Sequence, residues 1–517
     1  MSSSLDEQIA SLAARYRPLG ASILAEAIRI PADHVDRPVE EGGDPECGLS
    51  NHEGPRLEYL KRAIVECGAV RRPQDVDFDE YGNLVWTVQD EGDGIPAADK
   101  RVIYMDGHAD TVRALRPQWL SRLGGGIDAY DGLTDPKRVD RDALRSSLGY
   151  LPPDGEWEHL LFGRGAADQL SGVVSQIVAT KILLELAPQG ALRGAIVRSY
   201  ATAAEEDNDG GGPLYLMGKV LPGAAPELVP DVVILTEGTG DSKKGALGLY
   251  RGQRGRMQIE VTVVGRSCHG SMPWEGLNPL EYGAAILSEA ARRYDARQGF
   301  LDHAFLGHGT RTASWARLDT PSDCAVPERF VFRFDRRLTI GEEPAAAVAD
   351  VDSFESVRAA RAAGLKVEVG VPHYAQRTWR GYLADNPQIY PGWLTPEDHP
   401  VIRAAVKSYR GTVTPHVTEP AGGATAGALR KEARVDRWIF STDGVGFSVP
   451  AGDTSIAATD AKRWVHSGSI KHPAMFGVGP GLEQNTHRIG ECVDLRELQH
   501  AIAVLARFPS ALVAETA

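Results

Sequence analysis

Two kinds of apolar pattern alternate along this chain. In one, apolar residues recur every three or four positions, the spacing that gives a helix one buried stripe. In the other they form short, nearly unbroken runs, as in strands buried on both faces. Ser4 with Glu7 reads as a capping box that opens an amphipathic helix in SLDEQIASLAARYRPLGASILAEAIRI. The stretch IPADHVDRPVEEGGDPECGLSNHEG is polar and turn-rich, and PRLEYLKRAIVECGA returns to helical spacing. DVDFDEYGNLVWTVQ predicts two short strands joined at Tyr81-Gly82-Asn83. KRVIYMDGHADTV, GAIVRSYATAA and DVVILTE predict buried strands with polar or acidic ends, and LSGVVSQIVATKILLELA predicts a strongly apolar helix. Strands alternating with helices point to an α/β layer with a mixed, largely parallel sheet flanked by helices.

The pattern changes near Gly252. GRMQIEVTVVG and ERFVFRFDRRLTI alternate with a period of two, as half-exposed strands do. NPLEYGAAILSEAARRYDA and PAAAVADVDSFESVRAARAAG have helical spacing, and KVEVGVPHY is a further strand. This order predicts a smaller α+β unit inserted into the first domain. The Pro- and Gly-rich WRGYLADNPQIYPGWLTPEDHP is the way back, and VIRAAVKSYRG and ELQHAIAVLARF are helices that complete the α/β layer. The expected division is a catalytic domain in two parts, 1–251 and 394–517, interrupted by an inserted unit at 252–393.

A chain of 517 residues is too long for one ordinary core, in keeping with two domains. The formal charge of −14 lacks the basic face that nucleic acid requires. The five cysteines are scattered and form no C-x-x-C pair, which fits a reduced, intracellular protein without a cysteine-based structural zinc site. The first thirty residues lack a signal peptide's basic start and apolar centre, and no apolar run is long enough to span a membrane. The expected location is the cytoplasm.

Several predicted strands end in groups that can hold or move charge. VIYMDGHADTV ends in His108 and Asp110, SYATAAEED in the adjacent Glu205 and Glu206, and VVILTEGTG in Glu237. Asp168 in GRGAADQLSG precedes the apolar helix, and His487 lies in a late loop, FGVGPGLEQNTHRIGE. In an open α/β sheet the carboxyl ends of strands form the ligand crevice. Imidazole and carboxylate together suit a borderline divalent metal such as zinc. In H-x-D the carboxylate can fix the tautomer of a ligating histidine. Taken singly, each residue has a plainer reading: Asp168 as a helix cap, Glu237 as a turn residue, the paired glutamates as a solvated acidic loop.

GHADTV, GRGAADQLSG, AAEED, TEGT and NTHRIGE, in this order, resemble the five landmarks of the dinuclear-zinc amidohydrolase and peptidase family. Its members include acetylornithine deacetylase, succinyl-diaminopimelate desuccinylase, aminoacylase and glutamate carboxypeptidase. FDRRLTIGE and FSTDG are similar to its selenium-metabolism-linked hydrolases. The resemblance implies two divalent ions per chain, zinc first, with cobalt and manganese as alternatives. It implies that Asp168 bridges them, that His108 and Glu237 complete one site, and that Glu206 and His487 complete the other. Glu205 is then the general base and Asp110 the residue that orients His108. His269, in RSCHGSMPWEG, matches a histidine that reaches the partner subunit's active site and polarises the scissile carbonyl. Arg337 matches a position that grips a substrate carboxylate, and Thr442 and Asp443 match a substrate loop. The inserted unit is expected to form a homodimer, with LNPLEYGAAILSEAARRY and RMQIEVTVVG as its surfaces, the latter taken as an edge strand.

The chain departs from the family pattern in three places. SDCAVP has Cys324 and Ala325 where many members have an oxyanion-contacting Asn, and long stretches at 113–160 and 444–475 are expected to reshape or cover the pocket. The expected activity is metal-dependent hydrolysis of an amide bond in a small N-acyl amino acid, peptide or carbamoyl compound. The alternative is an inactive metal-binding or scaffold homologue of the same fold. A serine hydrolase lacks its G-x-S-x-G elbow, Cys268 is badly placed to face His269, and GVGPGLEQ is an incomplete dinucleotide fingerprint.

Overall fold

The computed structural model describes residues 4–32, 52–417 and 428–516. Most of the turn-rich stretch expected after the first helix, with Cys47, lies outside the described residues. The first helix spans Leu5–Ile28. Its capping box is formed: Ser4 Oγ accepts from the Glu7 amide, and Glu7 Oε2 accepts from the Ser4 amide.

Among the described residues the main sheet is nine-stranded. β1 (Val76–Phe78) and β2 (Leu84–Gln89) are the expected antiparallel pair. β3 (Arg101–His108) lies at the centre; β4 (Leu160–Phe162) pairs instead with Cys492–Asp494, outside the main sheet. β5 (Ala195–Thr202) and β6 (Val232–Leu235) flank β3 in parallel, and Ala474–Gly477 continues the parallel order beyond β6. β7 (Leu249–Gln253) carries the sheet onward, antiparallel to Ala474–Gly477 and Trp393–Leu394 and parallel to Val435–Trp438.

The central strands are buried on both faces, and their alternate residues sort into two cores. Ile103, Met105, Val232 and Ile234 face helices Leu5–Ile28, Gly54–Cys67, Leu170–Glu185, Pro400–Thr412 and Leu495–Thr516. Val102, Tyr104, Val233 and Leu235 face the other way, against Trp393, Trp438, Ile456 and Trp464. The 444–475 stretch therefore covers the second face of the sheet, where it forms a small sheet of its own from Val449–Pro450, Val465–Ser467 and Ile470–His472.

At Arg254 the chain leaves the main sheet for an antiparallel one, five-stranded among the described residues. β8 (Gly255–Val264) pairs with Arg329–Leu338 on one side and with Lys366–Gly370 and Ile389–Tyr390 on the other. The return follows directly, since Ile389–Tyr390 still pairs with β8 while Trp393–Leu394 already pairs with β7. Outgoing and returning chains touch at Gly255 and Gly392. A Cβ on Gly255 would lie 2.4 Å from the Tyr390 carbonyl oxygen, so the crossing requires glycine there.

Two expectations for this unit are corrected. β8 is an interior strand; the exposed edge is Thr310–Asp319, paired only with Arg329–Leu338 among the described strands. Alternation alone is compatible with either place, because it reports the two faces of a strand and not its hydrogen-bonded neighbours. The single helix expected over 344–364 is two, Pro344–Asp352 and Glu355–Ala362, broken where Phe354 turns extended to bury its ring. Among the described residues no helix is long and apolar enough to cross a membrane.

Candidate active site

The parallel strands deliver their carboxyl ends to one edge of the sheet. β3 ends on His108, β5 runs through an abrupt turn at Ala204 into Glu205 and Glu206, and Glu237 follows β6. Asp168 precedes the helix Leu170–Glu185, and His487 comes from the loop before Cys492–Asp494. The two oxygens of Asp168 face two histidines: His108 Nε2 lies 3.0 Å from Oδ1 and His487 Nε2 lies 3.0 Å from Oδ2. Glu237 is 3.6 Å from His108 Nε2, and Glu206 is 3.2 Å from His487 Nε2. Glu205 reaches within 3.8 Å of His108 Nε2.

Asp110 has two tasks. The His108 Nδ1 lies 3.1 Å from its carbonyl oxygen and 3.4 Å from its carboxylate. That carboxylate also accepts from the amides of Glu205 and Glu206, at 3.1 and 3.0 Å, so one buried acid sets the ring of His108 and the turn that presents both glutamates.

The electrostatics follow from crowding negative charge in a buried place. Burial works against a charged His108, yet hydrogen bonds to Asp110 and Asp168 and the charge of Glu205 hold its pKa well above the ordinary value. Glu206 and Asp168 push His487 up to about 12. Burial likewise opposes ionisation of Asp168, but hydrogen bonds from the two histidines hold its carboxyl far below the usual range. Burial raises Glu205 well above its ordinary value and brings Glu237 to about 7, where the charge of Asp168 adds to the effect. Such a field stabilises positive charge at the points where the two Nε2 atoms meet the carboxylates.

Asp168, Glu205, Glu206, Glu237 and His487 line a cavity of about 410 Å³. Arg256 and Arg337, from the inserted unit, form a wall of it with Asp209, Phe440 and Ser441. Thr442 and Asp443 stand behind this wall, each 1 % exposed. The Thr442 hydroxyl donates to Gln253 Oε1 at 2.8 Å, and Asp443 accepts from the Thr202 hydroxyl at 2.6 Å. The expected substrate loop thus touches the cavity through Ser441. His269 is exposed on a two-stranded ribbon with Ala325–Val326, directly opposite Ala325, and its Nδ1 meets the Ser271 hydroxyl at 2.7 Å. It lies apart from the residues that line the cavity of its own chain.

Residues 251–359 match the M20 peptidase dimerisation domain. The chain is 29 % identical over 435 residues to the uncharacterized protein YgeY of Escherichia coli (strain K12), covering 84 % of each chain. A probable succinyl-diaminopimelate desuccinylase of Staphylococcus aureus (strain MRSA252) is 30 % identical over 187 residues, 35 % of this chain and 41 % of that one. The solved structure of the Saccharomyces cerevisiae di-peptidase Dug1p superposes with a TM-score of 0.63 at 11 % identity, covering 99 % of both chains. The matched domain and the desuccinylase likeness indicate a hydrolytic enzyme, and the likeness to metallopeptidases points to divalent metal. The residues fit such ions. Two groups, His108–Asp168–Glu237 and Asp168–Glu206–His487, each offer one imidazole nitrogen and two carboxylate oxygens within 4.8 Å of one another, a donor set suited to zinc and similar cations.

Reasoning from sequence missed three supports of this site. Gln169 Nε2 donates to Glu237 Oε2 at 2.7 Å. Glu491 is fully buried; it takes the Arg164 guanidinium at 2.6 Å and the amides of Ala167 and Asp168 at 2.9 and 3.0 Å, which holds Asp168 in place. The third is a closed ring on the cavity wall. Asp209 pairs with Arg256; Arg256 Nε is 3.4 Å from Asp335, which takes Arg337 Nε at 2.8 Å. Arg337 donates to the Ser441 hydroxyl at 3.1 Å, and that hydroxyl donates back to Asp209 at 3.1 Å. Arg256 carried no signal in the sequence beyond an arginine at a strand start, and it is the inserted unit's packing over the glutamate turn that brings it to Asp209.

Proposed function

We propose that the protein is a dinuclear metallo-hydrolase that cleaves the amide bond of a small N-acyl amino acid, peptide or carbamoyl compound. The observation that carries this reading is the geometry of Asp168, one oxygen toward each of two His–Glu pairs, with Glu205 beside them. Asp168 would bridge two ions, His108 and Glu237 would complete one site, and Glu206 and His487 the other, with zinc as the first choice and cobalt or manganese as alternatives. When bound, the ions supply Lewis acidity that polarises the scissile carbonyl and makes water a nucleophile at neutral pH. Glu205 accepts the proton of the attacking water on its carboxylate and returns it to the nitrogen of the leaving amine. Asp110 keeps Nδ1 of His108 engaged, which leaves Nε2 as the ligand atom. Arg337 and Arg256 orient the polar end of the substrate from the cavity wall.

His269, exposed and away from its own cavity, acts in a homodimer by donating to the developing oxyanion in the partner subunit's site. The matched dimerisation domain supports this assembly. The edge strand Thr310–Asp319, with Trp315 43 % exposed, and the helix Pro279–Asp295 are its best surfaces. The test is elemental analysis of protein purified in zinc-replete, chelator-free buffer, followed by a panel of N-acyl amino acids, dipeptides and carbamoyl amino acids. Two ions per chain and amide cleavage that stops on chelation are expected; protein without metal would refute the reading.

A further inference from the structure

The 113–160 stretch, expected at the pocket, builds a small core of its own. Trp119, Leu123, Ile127, Leu144, Leu148 and Trp157 pack together, and the residues they enclose from elsewhere include Ile489 and Cys492. These two flank the far end of the loop that carries His487. Three further contacts tie the stretch to that loop. The Tyr150 hydroxyl donates to Asn485 Oδ1 at 2.5 Å, while Asn485 Nδ2 donates to the Cys492 carbonyl at 2.8 Å, so the side chain of Asn485 spans the base of the loop and Tyr150 orients it. The Ser147 hydroxyl donates to the Ile489 carbonyl at 2.5 Å. Leu144 lies so close to Gly490 that a Cβ there would meet it at 2.4 Å.

The loop needs such support. The side chain of His487 is 53 % exposed, whereas those of the other five acids and histidines grouped around the two positions are at most 11 % exposed. Packing against its neighbours therefore does little to hold the imidazole. Beyond its Nε2 contacts with Asp168 and Glu206, its place depends on its backbone, and that backbone is itself in the left-handed region, at φ +60, which costs a non-glycine residue about 1–2 kcal/mol. A strained, exposed ligand relaxes unless the chain on both sides of it is held.

We propose that the 113–160 stretch splints the His487 loop, and that Tyr150 is a positioning residue which sets how firmly the Glu206–His487 site retains its ion. This rests on the two-ion reading above. Groups that orient metal ligands typically affect metal affinity by 10–100-fold. The test is zinc titration of wild type, Tyr150→Phe and Ser147→Ala, read by elemental analysis after dialysis and by urea unfolding of the same samples. Tyr150→Phe should keep one ion as tightly as wild type and bind the second about tenfold or more weakly. Its urea midpoint should change little, and saturating zinc should restore kcat at unchanged KM. Ser147→Ala should show the same split to a smaller degree. Two ions held by Tyr150→Phe with wild-type affinity would overturn the proposal, and so would equal loss of both ions together with a lowered urea midpoint. Wild-type protein that never takes up a second ion would instead overturn the two-ion reading, and this proposal with it.

Discussion

Glu205 and Glu206 are neighbours in the chain, yet their surroundings assign them different work, and exchanging each for glutamine separates the two roles. The substitutions preserve shape and remove one negative charge. The turn itself should survive, because Asp110 holds it through the amides of both residues and not through their side chains. Glu206 stands 3.2 Å from His487 Nε2 and accepts from the Val112 amide at 3.2 Å, so it belongs to the second group of three donors. Glu205 belongs to neither group and approaches His108 only at 3.8 Å. Glu205→Gln should therefore keep both ions and lose the proton acceptor, lowering kcat by roughly 100- to 10,000-fold, or about 2.7–5.5 kcal/mol of barrier. Glu206→Gln should bind one ion normally and the other weakly, and added zinc should restore part of its activity. The assay is kcat at saturating substrate together with metal content on the same preparation, with and without excess zinc. Loss of an ion from Glu205→Gln with full retention in Glu206→Gln would show that the assignment is one residue out of register. An active Glu205→Gln protein would remove the general base from the mechanism.

Two further outcomes are expected. His269→Ala and Glu205→Gln, each inactive alone, should regain activity when mixed under subunit exchange, because one site of the mixed dimer then combines an intact Glu205 with an intact His269 from the other chain; demonstrated exchange without recovery would argue against action in trans. Glu497, buried near Asp494, has its pKa raised from 4.5 to about 8, by burial first and then by that charge. Its folded value lies above the unfolded one, so the stability it contributes is complete below pH 4.5 and falls away as pH rises toward 8. Glu497→Gln, which can still accept from the Gly481 amide, should unfold at higher urea than wild type at pH 8, with a ceiling on the order of 4–5 kcal/mol; an equal difference at pH 5 and pH 8 would contradict this.

Much of the molecule is local chemistry and was legible along the chain. Ser4 and Glu7 meet within one helical turn, and the apolar runs of β3, β5 and β6 are buried on both sides whatever their order in the sheet. His108, Glu205, Glu206 and Glu237 stand at or just beyond strand ends, where a parallel sheet must gather them, so their convergence followed once the strands were read as parallel neighbours. Tertiary structure alone decided what depends on partners far away in sequence. The alternation of β8 records its two faces and is silent about its flanks, which Arg329–Leu338 and Lys366–Gly370 occupy. Thr442 and Asp443 are polar residues in a Gly-containing stretch, and only Gln253 and Thr202, 189 and 241 positions away, draw them behind the wall. Tyr150 and Asn485 are separated by 335 positions and lie in segments that read as loops. A hydrogen bond across such a distance leaves no periodicity in either segment, because periodicity reflects the burial of a residue's own element, whereas the partner across the fold is chosen by how the finished elements pack.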